Sequence, residues 1–165
     1  MLAAEREVFV GLSFPVRTEI EGVRKVMSKE TKKQTILLVD DQEQDRRAVR
    51  GILEKRGYLV LEAADYWDAV QIHQQRQSGI QLLLTAIALP GNNGYELART
   101  LFRADPDLKV LFVSGPTGAE VSRFYNMPVT GPHLLTKPVD AEEAIRRVKS
   151  AIRSRRRRFQ VKSAG

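Results

Sequence analysis

Short apolar runs alternate with longer amphipathic segments through most of this chain, beginning near residue 35. Five of these runs are rich in aliphatic residues and short enough for β-strands, and they span residues 35–39, 58–61, 80–84, 108–113 and 133–136. The third run is almost continuously apolar, which is typical of a strand covered on both faces. A helical pattern follows each run, so the chain is predicted to repeat a strand–helix unit five times.

The helical segments carry apolar residues on one side and capping residues at their ends. They are predicted at residues 45–56, 66–77, 95–103, a short 119–125, and a last helix that begins after residue 140. Gly57 stands where a helix C-cap belongs, and Asp140 is a suitable N-cap. Strands that alternate with helices indicate an α/β fold, a doubly wound parallel sheet with helices on both faces. In such folds the functional site lies at the carboxyl ends of the strands.

Composition limits the chemistry that this chain of 165 residues can perform. It has no cysteine, which excludes disulfides, thiolate metal sites and cysteine nucleophiles. Its two histidines, His73 and His133, are far apart in the sequence, which argues against a histidine metal site. No uncharged apolar run approaches the roughly 20 residues that span a bilayer. We therefore expect a cytoplasmic protein with one globular domain.

The net charge of +7 is unevenly distributed along the chain. Residues 1–34 carry a charge of +2, and residues 35–145 carry −4. Residues 146–165 contain nine basic residues and no acidic one. The basic character of the protein therefore belongs to its last segment and not to the predicted domain.

These patterns divide the chain into three parts. Residues 1–34 read poorly as regular structure and are expected to be a disordered N-terminal extension. Residues 35–153 form the predicted domain, and residues 154–165 form a basic tail. The sequence that starts at Met27 is typical of a protein N-terminus, so the sequence leaves open whether translation starts at Met1 or at Met27.

Residues that can carry chemistry end four of the predicted strands, and these are, in chain order, Asp40 with Asp41, Thr85 with Ala86, Ser114, and Lys137. Each has an ordinary structural explanation on its own, because such residues also cap helices, make turns and end strands. Together they stand at the carboxyl ends of parallel strands. They therefore indicate one site with two carboxylates, a hydroxyl and an ammonium group.

At these positions the chain resembles the receiver domain of bacterial two-component response regulators, over residues 35–153. The matching segments are Ile-Leu-Leu-Val-Asp-Asp at 36–41, Leu-Pro-Gly-Asn-Asn-Gly-Tyr-Glu-Leu at 89–97, Val-Leu-Phe-Val-Ser-Gly at 110–115 and Leu-Thr-Lys-Pro at 135–138. The resemblance implies a flavodoxin-like (βα)5 fold with strand order 2-1-3-4-5. It also implies phosphorelay signalling, in which an acidic pair holds Mg²⁺, an aspartate after the third strand accepts a phosphoryl group, and the hydroxyl and the lysine contact that group.

Carried over to this sequence, the family's roles fall on an acidic pair, a switch hydroxyl and a lysine, which are Asp40, Asp41, Ser114 and Lys137. The phospho-acceptor position falls on Ala86, and a methyl group cannot form an acyl phosphate. We therefore expect no phosphorylation at the usual position, no required cofactor, and at best weak Mg²⁺ binding with Asp41 as the ligand. With one carboxylate fewer, Lys137 is expected to balance Asp40 and Asp41 directly.

Several other positions carry weaker indications of a role in the site. Leu134 stands where the family usually has an aromatic residue, and the irregular stretch 126–132 falls where its output surface is assembled. Thr85 is a poor substitute acceptor, because its side chain should point to the opposite face from that of the next residue. We expect His73 to be a half-buried helix residue and Trp67 to be a surface residue or a partner contact.

The arginine-rich segment is either a solvated helix end or an anion-binding tail for nucleic acid or an anionic membrane. It consists of Arg153, Arg155, Arg156, Arg157 and Arg158. The first hypothesis is a stand-alone degenerate receiver, not an enzyme, that binds a sensor kinase or a downstream effector. The alternatives are a nucleic-acid-binding protein that uses the tail, and an ordinary phosphorylated regulator whose aspartate has been replaced by Ala86. The sequence leaves open whether that alanine is natural or engineered, and whether the protein forms a homodimer.

Overall fold

The computed structural model describes residues 32–76, 79–115 and 133–154. The strands of the main sheet are β1 Thr35–Val39, β2 Leu59–Ala63, β3 Leu82–Ala86, β6 Lys109–Ser114 and β7 Leu134–Thr136. They are parallel and lie in the order β2-β1-β3-β6-β7. A separate antiparallel pair follows β3, and it consists of β4 Ala88–Leu89 and β5 Asn92–Asn93.

Helices cover both faces of this sheet, and those of the described residues are α1 Glu43–Glu54, α2 Tyr66–Arg76, α3 Gly94–Ala104 and α4 Ala141–Arg153. On one face, Leu53 of α1 and Val148 of α4 share a buried cluster with Leu38 of β1. On the other face, Ala69 of α2 and Leu97 of α3 share a second cluster with β1 and β3. Because both faces are covered, β1 and β3 are buried along their whole length.

Two helix ends show how the sequence sets the boundaries. At the end of α1, Gly57 has a positive φ of 87°, and its N–H donates to the carbonyl of Glu54 at 3.0 Å. The next N–H, of Tyr58, returns to the carbonyl of Leu53 at 3.3 Å, which completes a glycine-dependent C-terminal cap. At the start of α4, the Asp140 carboxylate accepts from the N–H of Glu143 at 2.8 Å. The structure confirms both predicted capping residues.

The observed strand order is the predicted 2-1-3-4-5 when the five strands of the main sheet are numbered consecutively. Four strands begin one or two residues later than predicted. For three of them, the apolar run starts before the hydrogen-bonded ladder does, because Tyr58, Ile80 and Leu108 are buried, yet each precedes its strand. The fourth is β7, which begins one residue after its predicted start. The sequence patterns predict no strand where the β4–β5 pair lies.

Several predictions lie outside the described residues, namely the helix at 119–125, the stretch 126–132, and most of the N-terminal extension and the basic tail. The extents of that extension and tail stay predictions. Within the described ranges, none of the helices is both long enough and apolar enough to cross a bilayer.

Candidate functional site

The register of the sheet brings the predicted site residues to one edge. Val39 pairs with Thr85 across β1 and β3, and Ala86 pairs with Val113 across β3 and β6. Lys137 follows β7 directly, and its N–H donates to the carbonyl of Ser114 at 2.7 Å. The carboxyl ends of four strands therefore meet at one place, as the sequence predicted.

The ammonium group of Lys137 is the centre of this site. Its Nζ lies 2.7 Å from Oδ2 of Asp40 and 2.8 Å from Oδ2 of Asp45. The side chain of Asp40 is only 4% exposed, and that of Lys137 is 21% exposed. Asp45 belongs to the first turn of α1, so the lysine joins the ends of β1 and β7 to the start of that helix.

The expectation that Lys137 balances Asp40 and Asp41 is half correct. Asp41 lies two residues beyond β1, is exposed, and accepts a hydrogen bond from Nε2 of Gln42 at 2.9 Å. The second partner is instead Asp45. The correction has a geometric reason: α1 begins at Glu43, so Asp45 lies within the first turn of the helix, where it reaches back to the lysine.

Two opposing effects act on the pKa of Lys137. Burial would lower this pKa, because it disfavours the charged form. The hydrogen bonds to Asp40 and Asp45, together with the charges of both carboxylates, outweigh burial and hold the pKa above the ordinary lysine value. The ammonium form is therefore stabilised by groups of this chain alone.

Asp40 is held from several directions. Its Oδ1 accepts from the N–H of Gln42 at 2.9 Å, while its Oδ2 contacts Lys137. Its carbonyl oxygen accepts from Nη1 of Arg46 at 2.6 Å, and that arginine also lies 3.4 Å from a carboxylate oxygen of Glu62. Both carboxylate oxygens of Asp40 thus have protein partners.

Ala86 ends β3 and is 5% exposed. The hydroxyl of its neighbour Thr85 is fully buried and donates to the carbonyl of Ala86 at 2.9 Å. Gly94 packs against the same carbonyl, since a Cβ atom at this glycine would overlap it, and the N–H of Gly94 donates to Ile87 at 2.8 Å. This part of the site contains backbone and methyl groups but no carboxylate.

The resemblance implies a Mg²⁺ ion, so the oxygen atoms of this site must suit the coordination of that ion. Mg²⁺ requires near-ideal octahedral oxygen coordination, usually with one or two carboxylates. Here both carboxylate oxygens of Asp40 already have protein partners, and one of these partners is the ammonium group of Lys137. Ala86 has no side-chain oxygen that could act as a ligand. In the part of the chain that the structure describes, no three acidic, histidine or cysteine side chains are grouped as metal ligands. The residues present do not fit the ion.

Sequence reasoning missed Asp45 and Arg46. Both lie in the first turn of α1, outside the short motifs that carry the resemblance, and they contact the strand ends only in the packed fold. The sequence already places Asp45 at the start of a predicted helix, but no pattern in it indicates which side chain reaches Lys137.

The remaining residues that the sequence analysis singled out lie away from the contacts of Lys137 or outside the described residues. Leu134 is partly buried and packs against the cluster beneath α2 and α3. His73 is buried rather than half-buried, and its Nε2 has no hydrogen-bond partner among the described residues. Trp67 is 74% exposed and makes an edge-to-face contact with Tyr66 at 5.0 Å between ring centroids. Arg153 is exposed at the end of α4.

Comparison with known proteins supports the same segment. The family model of the response regulator receiver domain matches residues 36–149. The response regulator receiver protein CpdR of Brucella abortus is 31% identical over 117 residues, which are 71% of this chain and 95% of CpdR. The crystal structure of the receiver domain from the hybrid histidine kinase CckA has a TM-score of 0.59 at 28% identity, and the match covers 72% of this chain and 98% of that one.

Other relatives are much longer than the matched segment. The phosphate regulon transcriptional regulatory protein PhoB of Pseudomonas aeruginosa is 32% identical over 121 residues, which are 72% of this chain but 52% of PhoB. For the sensor kinase CckA of Brucella abortus, the match is 30% identical and covers 72% of this chain but 12% of the kinase. The matches therefore describe the domain and not the full activity of these larger proteins.

Proposed function

This chain belongs to the response regulator receiver domain family, and from that premise we propose that it is a degenerate receiver. It acts as a protein-interaction module in two-component signalling, without phosphorylation at the usual position and without enzymatic activity of its own. Its partner is a sensor kinase or a downstream effector in the cytoplasm. This function follows from a site that keeps most of the family's residues but not the one that reacts.

The observation that carries the proposal is Ala86 at the carboxyl end of β3. Phosphoryl transfer to a receiver needs a carboxylate oxygen that attacks phosphorus, and the methyl group of alanine has no lone pair for that bond. Thr85 offers no replacement, because its hydroxyl is fully buried and engaged with the carbonyl of Ala86.

The contacts of Lys137 support the same conclusion. In a phosphorylated receiver, this lysine would pair with the new phosphoryl oxygens. In this chain its ammonium group is already paired with Asp40 and Asp45, at 2.7 and 2.8 Å. An incoming anion would have to displace a carboxylate that the protein itself supplies. The charge of the lysine is therefore already balanced without a phosphoryl group.

Intact-mass spectrometry after incubation with Mg²⁺ and acetyl phosphate tests the proposal. We expect the wild-type chain to gain no phosphoryl mass. Ala86→Asp restores the missing carboxylate beside Lys137 and Ser114, so this variant is expected to gain one hydroxylamine-labile phosphoryl group. Ala86→Asn is the matched control, because it adds a side chain of the same shape without a nucleophilic carboxylate.

A wild-type chain that acquires a hydroxylamine-labile phosphoryl group would overturn the proposal, since another carboxylate would then have taken over as acceptor. Labelling of Ala86→Asn to the same level as Ala86→Asp would also contradict it, because the added group would then lie elsewhere in the chain.

A further inference from the structure

Exposed basic side chains converge at the edge of the sheet where the strands begin, opposite the candidate site. Helices α1 and α4 both end at this edge, because each follows a strand and runs back across the sheet. Lys33 precedes β1, Lys55 and Arg56 follow α1, and Arg153 ends α4. All four side chains are exposed. We call these four residues the basic edge.

Contacts of the neighbouring residues show that the ends of α1 and α4 lie on the same side of the sheet and that Lys33 precedes the adjoining strand. The N–H of Leu59 donates to the carbonyl of Gln34 at 3.0 Å, which brings the chain after Arg56 beside the chain after Lys33. Leu53 and Tyr58, which flank the end of α1, share a buried cluster with Val148 of α4. Burial raises the pKa of Tyr58, and the charge of Arg153 opposes that rise, as expected when the guanidinium lies nearby.

The basic edge differs from most basic residues of these two helices in its pairing. Arg47 and Arg50 of α1 are paired with glutamates of the same helix, and Arg147 of α4 is paired with Glu143, whereas Lys149 of α4 forms no ion pair with another described residue. Among the described residues, no ion pair is formed by any member of the basic edge. The carboxylate of Glu54, which precedes Lys55, is paired with Arg50 instead.

Apart from Glu54, which is paired with Arg50, the acidic residues described at this edge lie on the other side of the sheet. Asp105 and Asp107 follow α3, which packs on the face opposite α1 and α4. A lone basic residue at a helix C-terminus offsets the helix dipole, and Arg76 and Arg103 fit that explanation at the ends of α2 and α3. The dipole does not explain why three basic residues at the ends of α1 and α4 stand beside Lys33, which belongs to no helix.

We propose that the basic edge binds the phosphate backbone of double-stranded DNA without base selectivity. DNA presents about one negative charge per 1.7 Å of its axis, so a cluster of unpaired cations gains from the release of its condensed counterions. A lipid surface fits less well, because the apolar residues of α4, Ala144, Ile145 and Val148, are buried in the core. They leave no apolar face that could enter a bilayer.

Fluorescence anisotropy of a labelled DNA duplex, titrated with the full chain over a series of salt concentrations, tests this proposal. Lys55→Gln with Arg56→Gln removes two charges from the basic edge. Arg76→Gln with Arg103→Gln removes two exposed charges from helix ends on the opposite face and is the matched control. We expect the first pair to reduce the slope of log K against log salt by about 2, and the control pair to leave it unchanged.

Three results would overturn the proposal. The first is equal weakening by the two double variants, which would show only a response to net charge. The second is full loss of binding on deletion of residues 155–165 with no effect of Lys55→Gln and Arg56→Gln, which would assign binding to the tail alone. The third is binding to phosphatidylserine vesicles but not to the duplex. Equal affinity for duplexes of unrelated sequence supports the proposal.

Discussion

Lys137 has two carboxylate partners in this chain, and they come from different parts of the sequence. Asp40 follows β1 directly, in one of the short motifs that carry the resemblance to the receiver family, whereas Asp45 lies in the first turn of α1. The two contacts of the lysine therefore come from a strand end and from a helix start. We expect Asp45 to position the ammonium group.

Asp45→Asn tests that role. The variant removes one of the two charges that raise the pKa of Lys137, so the pKa should fall, and NMR titration of the Cε of this lysine measures the change. Glu43→Gln is the matched control, because it removes a negative charge from the same helical turn but from a residue that pairs with Arg47. An equal fall in both variants would contradict a direct role for Asp45.

The contact between Asp45 and Lys137 also makes the stability of the fold depend on pH, because it raises the pKa of the lysine. A group whose pKa is higher in the folded than in the unfolded chain contributes stability that is fully present below the unfolded pKa. For Lys137 this stability is lost as the pH rises above the ordinary lysine value of about 10.4 and through the raised pKa. In Asp45→Asn that loss should be smaller and should be complete at a lower pH, which urea unfolding at several pH values would show.

At the scale of elements, the segment after β3 depends on one close approach. Gly94 opens α3, and its backbone packs against the carbonyl of Ala86 and the hydroxyl of Thr85. The N–H of Gly94 also donates to Ile87 at 2.8 Å, so the helix start is bound to the strand end. A residue without Cβ is needed for this contact, although the backbone of Gly94 is not in the left-handed region.

Gly94→Ala should therefore lower the free energy of unfolding by about 2 kcal/mol, because the added methyl group forces the backbone of β3 or α3 to move. Gly51→Ala is the matched control, since Gly51 lies in α1 with no atom within 4 Å of the added Cβ, and alanine there should raise stability by about 0.8 kcal/mol. Urea unfolding measures both. A neutral Gly94→Ala would contradict the close approach.

The sequence predicts the bounds of a strand correctly where the buried residues are also the ones that pair with neighbouring strands. β1 was predicted to the residue, because every position of Thr35–Val39 is both buried and paired. The start of β3 was predicted two residues too early, because Ile80 is buried without belonging to the ladder. The β4–β5 pair escaped prediction, since two-residue strands leave no periodic signal.

For the whole molecule, the fold class and the edge that holds the site follow from the alternation of strands and helices and from the residues at the strand ends. The strand order was predicted only through the resemblance to the receiver family. The partner of Lys137 and the basic edge could not be predicted from spacing, because each depends on residues that only the packed helices bring together. Asp45 and Lys137, for example, are 92 residues apart in the sequence.

The structure also separates two surfaces of the molecule. The Asp40–Lys137 site lies at the carboxyl ends of the strands, whereas the basic edge lies at their beginnings. The proposed protein interaction and the proposed DNA contact can be tested separately on the same full chain.

The central claim, that this receiver lacks the reacting group of its family, is tested most directly by amide NMR spectra with and without Mg²⁺ and beryllofluoride. Beryllofluoride mimics a phosphoryl group and binds through a carboxylate oxygen. The account predicts that the amide signals of Ala86, Ser114 and Lys137 do not move in the wild-type chain and that the corresponding signals shift in Ala86→Asp. Saturable shifts at these three positions in the wild-type chain would contradict it.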